Sequence, residues 1–97
     1  MPVPERKLVS LASQPKVPDY VILRRDEVRG RWVALAPERL IELDERSLDV
    51  LRLCDGTRTV DQLAHELAEA YDAPREVIAE DVMSFLQDWS DRLLVQL

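Results

Sequence analysis

Apolar residues along this chain follow two different periods, and the change falls near residue 44. Before it, short runs of β-branched, aromatic and aliphatic residues alternate with turn residues, which is the mark of strands. Tyr20-Val21-Ile22-Leu23-Arg24 is the first such run. Asp26-Glu27-Val28-Arg29-Gly30 reads as a turn in which Gly30 is free to take positive φ. Arg31-Trp32-Val33-Ala34-Leu35 predicts a second strand, and Ala36-Pro37-Glu38 a tight reversal with Pro37 at the first central position. Arg39-Leu40-Ile41-Glu42-Leu43 completes a third. Short connections between three strands imply an antiparallel meander.

After Leu43 the spacing becomes helical. Asp44 is a good N-cap, and Leu48, Leu51 and Cys54 recur on one side before Asp55-Gly56 stops the segment. Thr59 and Gln62 form a capping-box pair for a second helix, whose apolar set is Val60, Leu63, Ala64, Leu67, Ala68 and Tyr71. Asp72-Ala73-Pro74 ends it, with Pro74 expected at the first position of a third helix. Ile78, Val82, Phe85, Leu86, Trp89 and Leu93 run along that helix, and Val77 and Met83 widen the stripe beyond what a small core requires. Leu93-Leu94-Val95 is expected to end as a short strand or a frayed tail. Residues 1–19 hold Pro2, Pro4, Pro15 and Pro18 and no sustained period, so they read as an extended arm outside a domain spanning 20–95. Leu8, Val9 and Leu11 give that arm something to pack, on this chain or in an arm-exchanged homodimer. The fold class is therefore α+β, winged-helix-like: a three-stranded antiparallel sheet followed by three helices.

Composition narrows the chemistry. One Cys (Cys54) excludes an internal disulfide, and one Cys with one His (His65) cannot make a structural zinc site. Two isolated glycines leave no phosphate-cradling loop. No apolar run approaches the roughly 18 residues of a membrane span, and no secretory signal is apparent, so a cytoplasmic chain is expected. The net charge of -6 is divided unevenly. Residues 1–52 hold 10 basic and 9 acidic side chains, +1, whereas residues 53–97 hold 3 basic and 10 acidic, -7. A winged helix that reads DNA needs cations on its recognition helix, and the helical half carries the opposite sign.

Three segments resemble the signature of one family, pyrroloquinoline quinone biosynthesis protein D (PqqD). They are Gly30-Arg31-Trp32-Val33-Ala34-Leu35-Ala36-Pro37-Glu38, then Leu51-Arg52-Leu53-Cys54-Asp55-Gly56-Thr57-Arg58-Thr59-Val60, then Tyr71-Asp72-Ala73-Pro74-Arg75-Glu76-Val77-Ile78 followed by Asp81-Val82. The resemblance runs from about Val17 to Val95. It implies a winged-helix peptide-binding module, a recognition element for ribosomally made, later modified peptides (RiPPs). It further implies that the chain holds the precursor peptide PqqA and presents it to the radical-SAM enzyme PqqE, which joins a Glu and a Tyr of that peptide. The family tends to close its last helix with a basic residue and a glycine; here Arg92 is followed by Leu93, so that end is expected to run on or pack differently.

A peptide can add as a strand to the open edge of a small sheet. With residues Arg39, Leu40, Ile41, Glu42 and Leu43 as the edge, the peptide lies between that strand and the third helix, where Val77, Asp81, Val82, Phe85 and Leu86 are the candidate groove walls. Core packing is the competing role for each aromatic or aliphatic residue among them. Arg24, Arg25, Arg29, Arg31 and Arg39 on the sheet side are suited to an acidic peptide or to a solvated face. Trp32 reads as a core anchor, His65 as exposed, and Cys54 as a buried small residue. Nothing assembles a nucleophile, base and orienter, so no catalytic residue, cofactor or metal is expected. The alternatives at this point are a winged-helix DNA-binding regulator and a small enzyme or quinone carrier.

Overall fold

A computed structural model describes residues 6–97, and in it three strands precede three helices. β1 (Ile22–Asp26), β2 (Arg31–Ala36) and β3 (Arg39–Leu43) form an antiparallel sheet in the order β1-β2-β3. The first strand starts two residues later than its apolar run suggests, because the Val21 N–H donates to the Pro18 carbonyl at 2.9 Å and closes a turn first. Leu23, Trp32, Ala34, Ala36, Ile41 and Leu43 face the core, as strand alternation requires. Pro37 at the first central position and a φ of 60° at Glu38 give the β2–β3 reversal the form of a type II turn. Trp32 is half-buried, with the Arg52 guanidinium 4.7 Å over its ring.

α1 (Glu45–Leu53) begins where Asp44 accepts the Ser47 N–H at 2.8 Å, a bond that also holds the Asp44 carboxyl below its ordinary range. In α2 (Val60–Tyr71) the predicted capping box is present: the Thr59 hydroxyl accepts from the Gln62 N–H at 3.1 Å, and the Gln62 side chain accepts from the Thr59 N–H at 2.8 Å. α3 (Arg75–Asp91) starts one residue later than expected, since Pro74 is its extended N-cap and not its first helical residue. Leu51, Leu63, Leu86 and Leu94 are the largest fully buried aliphatic side chains, and they join the helices to the inner sheet face. Asp55, in the loop between α1 and α2, accepts from the Arg58 and Thr57 backbones and the Thr57 hydroxyl, which lowers its pKa to about 2. A depressed carboxylate stabilises the fold above its unfolded value of about 4, and that contribution is lost as pH falls toward about 2. Carboxyl-carbon NMR titration is expected to place Asp55 well below the ordinary aspartate value.

At the end of α3 the frayed tail, one of the two outcomes expected for Leu93-Leu94-Val95, does not form. The helix neither runs on nor frays: the Leu94 N–H reaches the Trp89 carbonyl at 2.8 Å and the Leu93 N–H reaches Ser90 at 2.9 Å, a Schellman closure. Leu93 holds the left-handed position, φ 62°, that glycine fills most readily, with its side chain 71% exposed. Leu93→Gly relieves a left-handed strain of roughly 1–2 kcal/mol, partly offset by greater freedom of the unfolded chain. A rise of about 0.5–1 kcal/mol in denaturant stability is the expected result; a loss of stability contradicts it. Beyond it Leu94 and Val95 are buried, and Gln96 exchanges backbone hydrogen bonds with Lys16 at 2.8 Å, so the tail is ordered.

The described part of the amino-terminal segment is also not outside the core. Pro15 is fully buried, and Val9 and Val17 pack against the core cluster. Ser13 and Leu11 offer their carbonyls to the Val60 and Asp61 N–H groups at 2.9 and 3.0 Å. Those are first-turn donors of α2 that no intrahelical carbonyl can serve, so this segment completes the helix cap. Gln87 of α3 binds it from the other side, accepting from the Val9 N–H at 2.9 Å and donating to the Lys7 carbonyl at 3.0 Å. The sequence concealed this because the bonds come from main-chain carbonyls. Residues 1–5 lie outside the described residues.

Candidate functional site

Among the described residues β3 is an edge strand, paired only with β2. The loop of Pro37 and Glu38 makes Ala36 and Arg39 a hydrogen-bonded pair, and bonded and non-bonded pairs alternate from there. Arg39, Ile41 and Leu43 therefore turn their N–H and C=O groups toward β2, while Leu40 and Glu42 turn theirs toward the open edge. An open edge is a template for another extended chain unless something blocks it.

The end of α3 touches the start of β3, and α3 shares a cavity with the residue that follows the strand. At the start of β3 the Arg39 guanidinium donates to the Arg92 carbonyl at 3.0 Å. At the other end Asp44, directly after Leu43, lies at the mouth of a cavity of about 280 Å³ between α1, the end of α2 and α3. Val77, Asp81, Val82 and Phe85 line this cavity, so four of the five predicted wall residues come together there. Leu86 does not: it is fully buried and belongs to the core. Leu86 and Phe85 are neighbours on a broad apolar stripe, and only the packing of α3 on α2 decides which of them faces inward. On β3, Leu43 is buried, Ile41 is half-buried against the core, and Arg39, Leu40 and Glu42 are exposed.

Sequence reading missed several further wall residues, among them Val50, Tyr71 and Ile78. Val50 carried a usable signal, since it is apolar yet out of step with Leu48, Leu51 and Cys54. Tyr71 ends the α2 stripe, and its hydroxyl hydrogen-bonds Asp49, clipping α2 to α1. Burial, and then that carboxylate, push the Tyr71 phenol up to about 12, so it remains a neutral donor at physiological pH. The mouth carries both signs, Asp44 and Asp81 against Arg46.

The sheet arginines do not form one free cluster. Arg31 pairs with Glu42 at 2.8 Å, and Arg29 reaches Asp26 and Glu42 at 3.6 Å. Arg24, Arg25 and Arg39 make no ion pair among the described residues. Cys54 is buried, its thiol pushed up to about 12 chiefly by desolvation, so it is no nucleophile at neutral pH. His65 is exposed beside Glu69. Among the described residues no cluster of three or more His, Cys, Asp or Glu is arranged to hold a metal. No helix among them is long and apolar enough to cross a membrane.

A three-stranded antiparallel sheet followed by three helices defines a winged-helix-type α+β module. The chain belongs to the PqqD family: the profile for coenzyme PQQ synthesis protein D (PqqD) matches residues 31–95. A PqqA binding protein of Bradyrhizobium diazoefficiens is 46% identical over 89 residues, covering 92% of this chain and 86% of that one. The solution structure of the PqqD truncation of Methylobacterium extorquens PqqCD, a functional and stand-alone RiPP recognition element, superposes with a TM-score of 0.79. It is 38% identical and covers 92% of this chain and 95% of that one. The crystal structure of PqqD from Xanthomonas campestris gives a TM-score of 0.59 at 37% identity, covering 92% and 99% of the two chains.

Proposed function

We propose that this chain is a non-catalytic peptide-binding adaptor of pyrroloquinoline quinone biosynthesis, which binds a PqqA-type precursor peptide and presents it to the radical-SAM enzyme PqqE. The observation that carries this reading is the open edge of β3 ending beside an apolar cavity. Extended peptide pairs with the outward groups of Leu40 and Glu42, which supply main-chain hydrogen bonds. One or two apolar side chains of the peptide enter the cavity over Val77, Val82 and Phe85, which supplies specificity. Asp81 at the mouth orients a polar or cationic neighbour. The relatives named for PqqA binding, at identities near 46%, support the choice of peptide.

In this reading the chain works as a cytoplasmic monomer with residues 6–18 docked on its own body, and the chemistry belongs to its partner. DNA binding is disfavoured by charge: Glu66, Glu69, Asp72, Glu76, Glu80 and Asp88 are all exposed on α2 and α3 or the turn between them. Titrating synthetic precursor peptide into isotope-labelled protein tests the proposal. Saturable shifts are expected in residues 39–43 and along 77–85, and their absence at tens of micromolar overturns it.

A further inference from the structure

The outer face of the sheet carries an apolar row that the fold leaves unused. Ile22, Leu35 and Leu40 stand opposite one another in register across β1, β2 and β3, and none belongs to the core cluster. Ile22 is 57% exposed and Leu40 51%. Beside them on the same face lie Arg24, Val33 and Glu42, also in register. Arg24 has no carboxylate partner among the described residues. Tyr20, two residues before Ile22, adds another exposed aromatic surface at that end.

We infer that this row is the docking surface for the peptide-modifying enzyme, a folded protein presenting apolar residues bordered by carboxylates; the inference rests on the presentation role proposed above. Three features favour that occupant. A row that crosses all three strands offers a broad surface, which suits a patch of a folded partner better than a single peptide side chain. The unpaired guanidinium of Arg24 beside the row is complementary to a carboxylate on that partner. A second copy of this chain fits less well: face to face, the carboxylate it would bring from beside this row is Glu42, which Arg29 and Arg31 already hold. Pairing sheet to helices would be head-to-tail and would not close as a dimer.

The row also continues into the peptide site. A strand added beside β3 places every second residue on this same outer face, in line with Leu40. The enzyme then meets adaptor and peptide as one surface, and binds the loaded adaptor more tightly than the empty one.

Titration calorimetry of PqqE against the full chain, with and without precursor peptide, tests this. The unmodified chain is expected to bind the enzyme more tightly when loaded. Ile22→Lys, on the strand farthest from β3, is expected to bind the peptide unchanged, which also reports that it folds, and the enzyme about 10-fold or more weakly. Arg24→Glu is expected to weaken the enzyme complex and flatten its salt dependence. Unaltered enzyme affinity in both variants overturns the inference. Self-association of the unmodified chain that Ile22→Lys abolishes also overturns it, assigning the row to a second copy. An unmodified chain that binds peptide but no enzyme removes the presentation role and this inference together, whereas loss of the docking surface alone leaves wild-type enzyme binding intact.

Discussion

A chain beginning at Val17 is expected to unfold at markedly lower denaturant than the full chain, with a loss on the order of 2–4 kcal/mol. Five backbone hydrogen bonds disappear with the segment: those accepted by Leu11, Ser13 and Pro15, and the mutual pair between Lys16 and Gln96. Each is worth roughly 0.5–1.5 kcal/mol net, and the burial of Pro15 and Val9 adds to them. Ordering the segment costs conformational entropy, which keeps the total below the simple sum. Against a domain stability of about 5–15 kcal/mol the change is large. Its structural cause is specific, since the first turn of α2 loses the carbonyls that serve Val60 and Asp61. Urea unfolding followed by far-UV circular dichroism measures it. A difference under about 0.5 kcal/mol would mean the segment is an ornament.

The second large effect is on recognition. Leu40→Pro removes an N–H that points away from β2, so the hairpin should survive while one donor to the incoming strand is lost and the ring obstructs it. Affinity for the precursor peptide is expected to fall at least tenfold, about 1.4 kcal/mol or more. Ile41→Pro is the control, because its N–H belongs to the β2–β3 ladder. That substitution should damage the fold itself. Equal peptide affinity for Leu40→Pro and the unmodified chain would rule out strand addition at this edge.

Much of this architecture is legible in the residues, and the exceptions have physical reasons. Thr59, Gln62 and the Val60 to Ala68 stripe act within one helix, so spacing alone reveals them. The bounds of β3 follow from Pro37 and from the N-cap at Asp44, two local signals that bracket it. The site is less legible because it is built between elements. Phe85 lines the cavity and Leu86 does not, a distinction set by how α3 rolls on α2. The clip from Tyr71 to Asp49 joins residues far apart in the chain, and neither reveals the other by its type. Leu93 shows the limit of motif reading: the glycine position is occupied by leucine, yet the backbone takes the same left-handed turn because the Schellman bonds hold it.

Amide hydrogen exchange along β3, with and without the precursor peptide, tests the central claim most directly. The free protein should exchange Leu40 and Glu42 quickly and Ile41 slowly, since of these three Ile41 alone turns its N–H toward β2. Bound peptide should protect Leu40 and Glu42 and leave Ile41 nearly unchanged. Saturating peptide that protects neither Leu40 nor Glu42 would contradict the account.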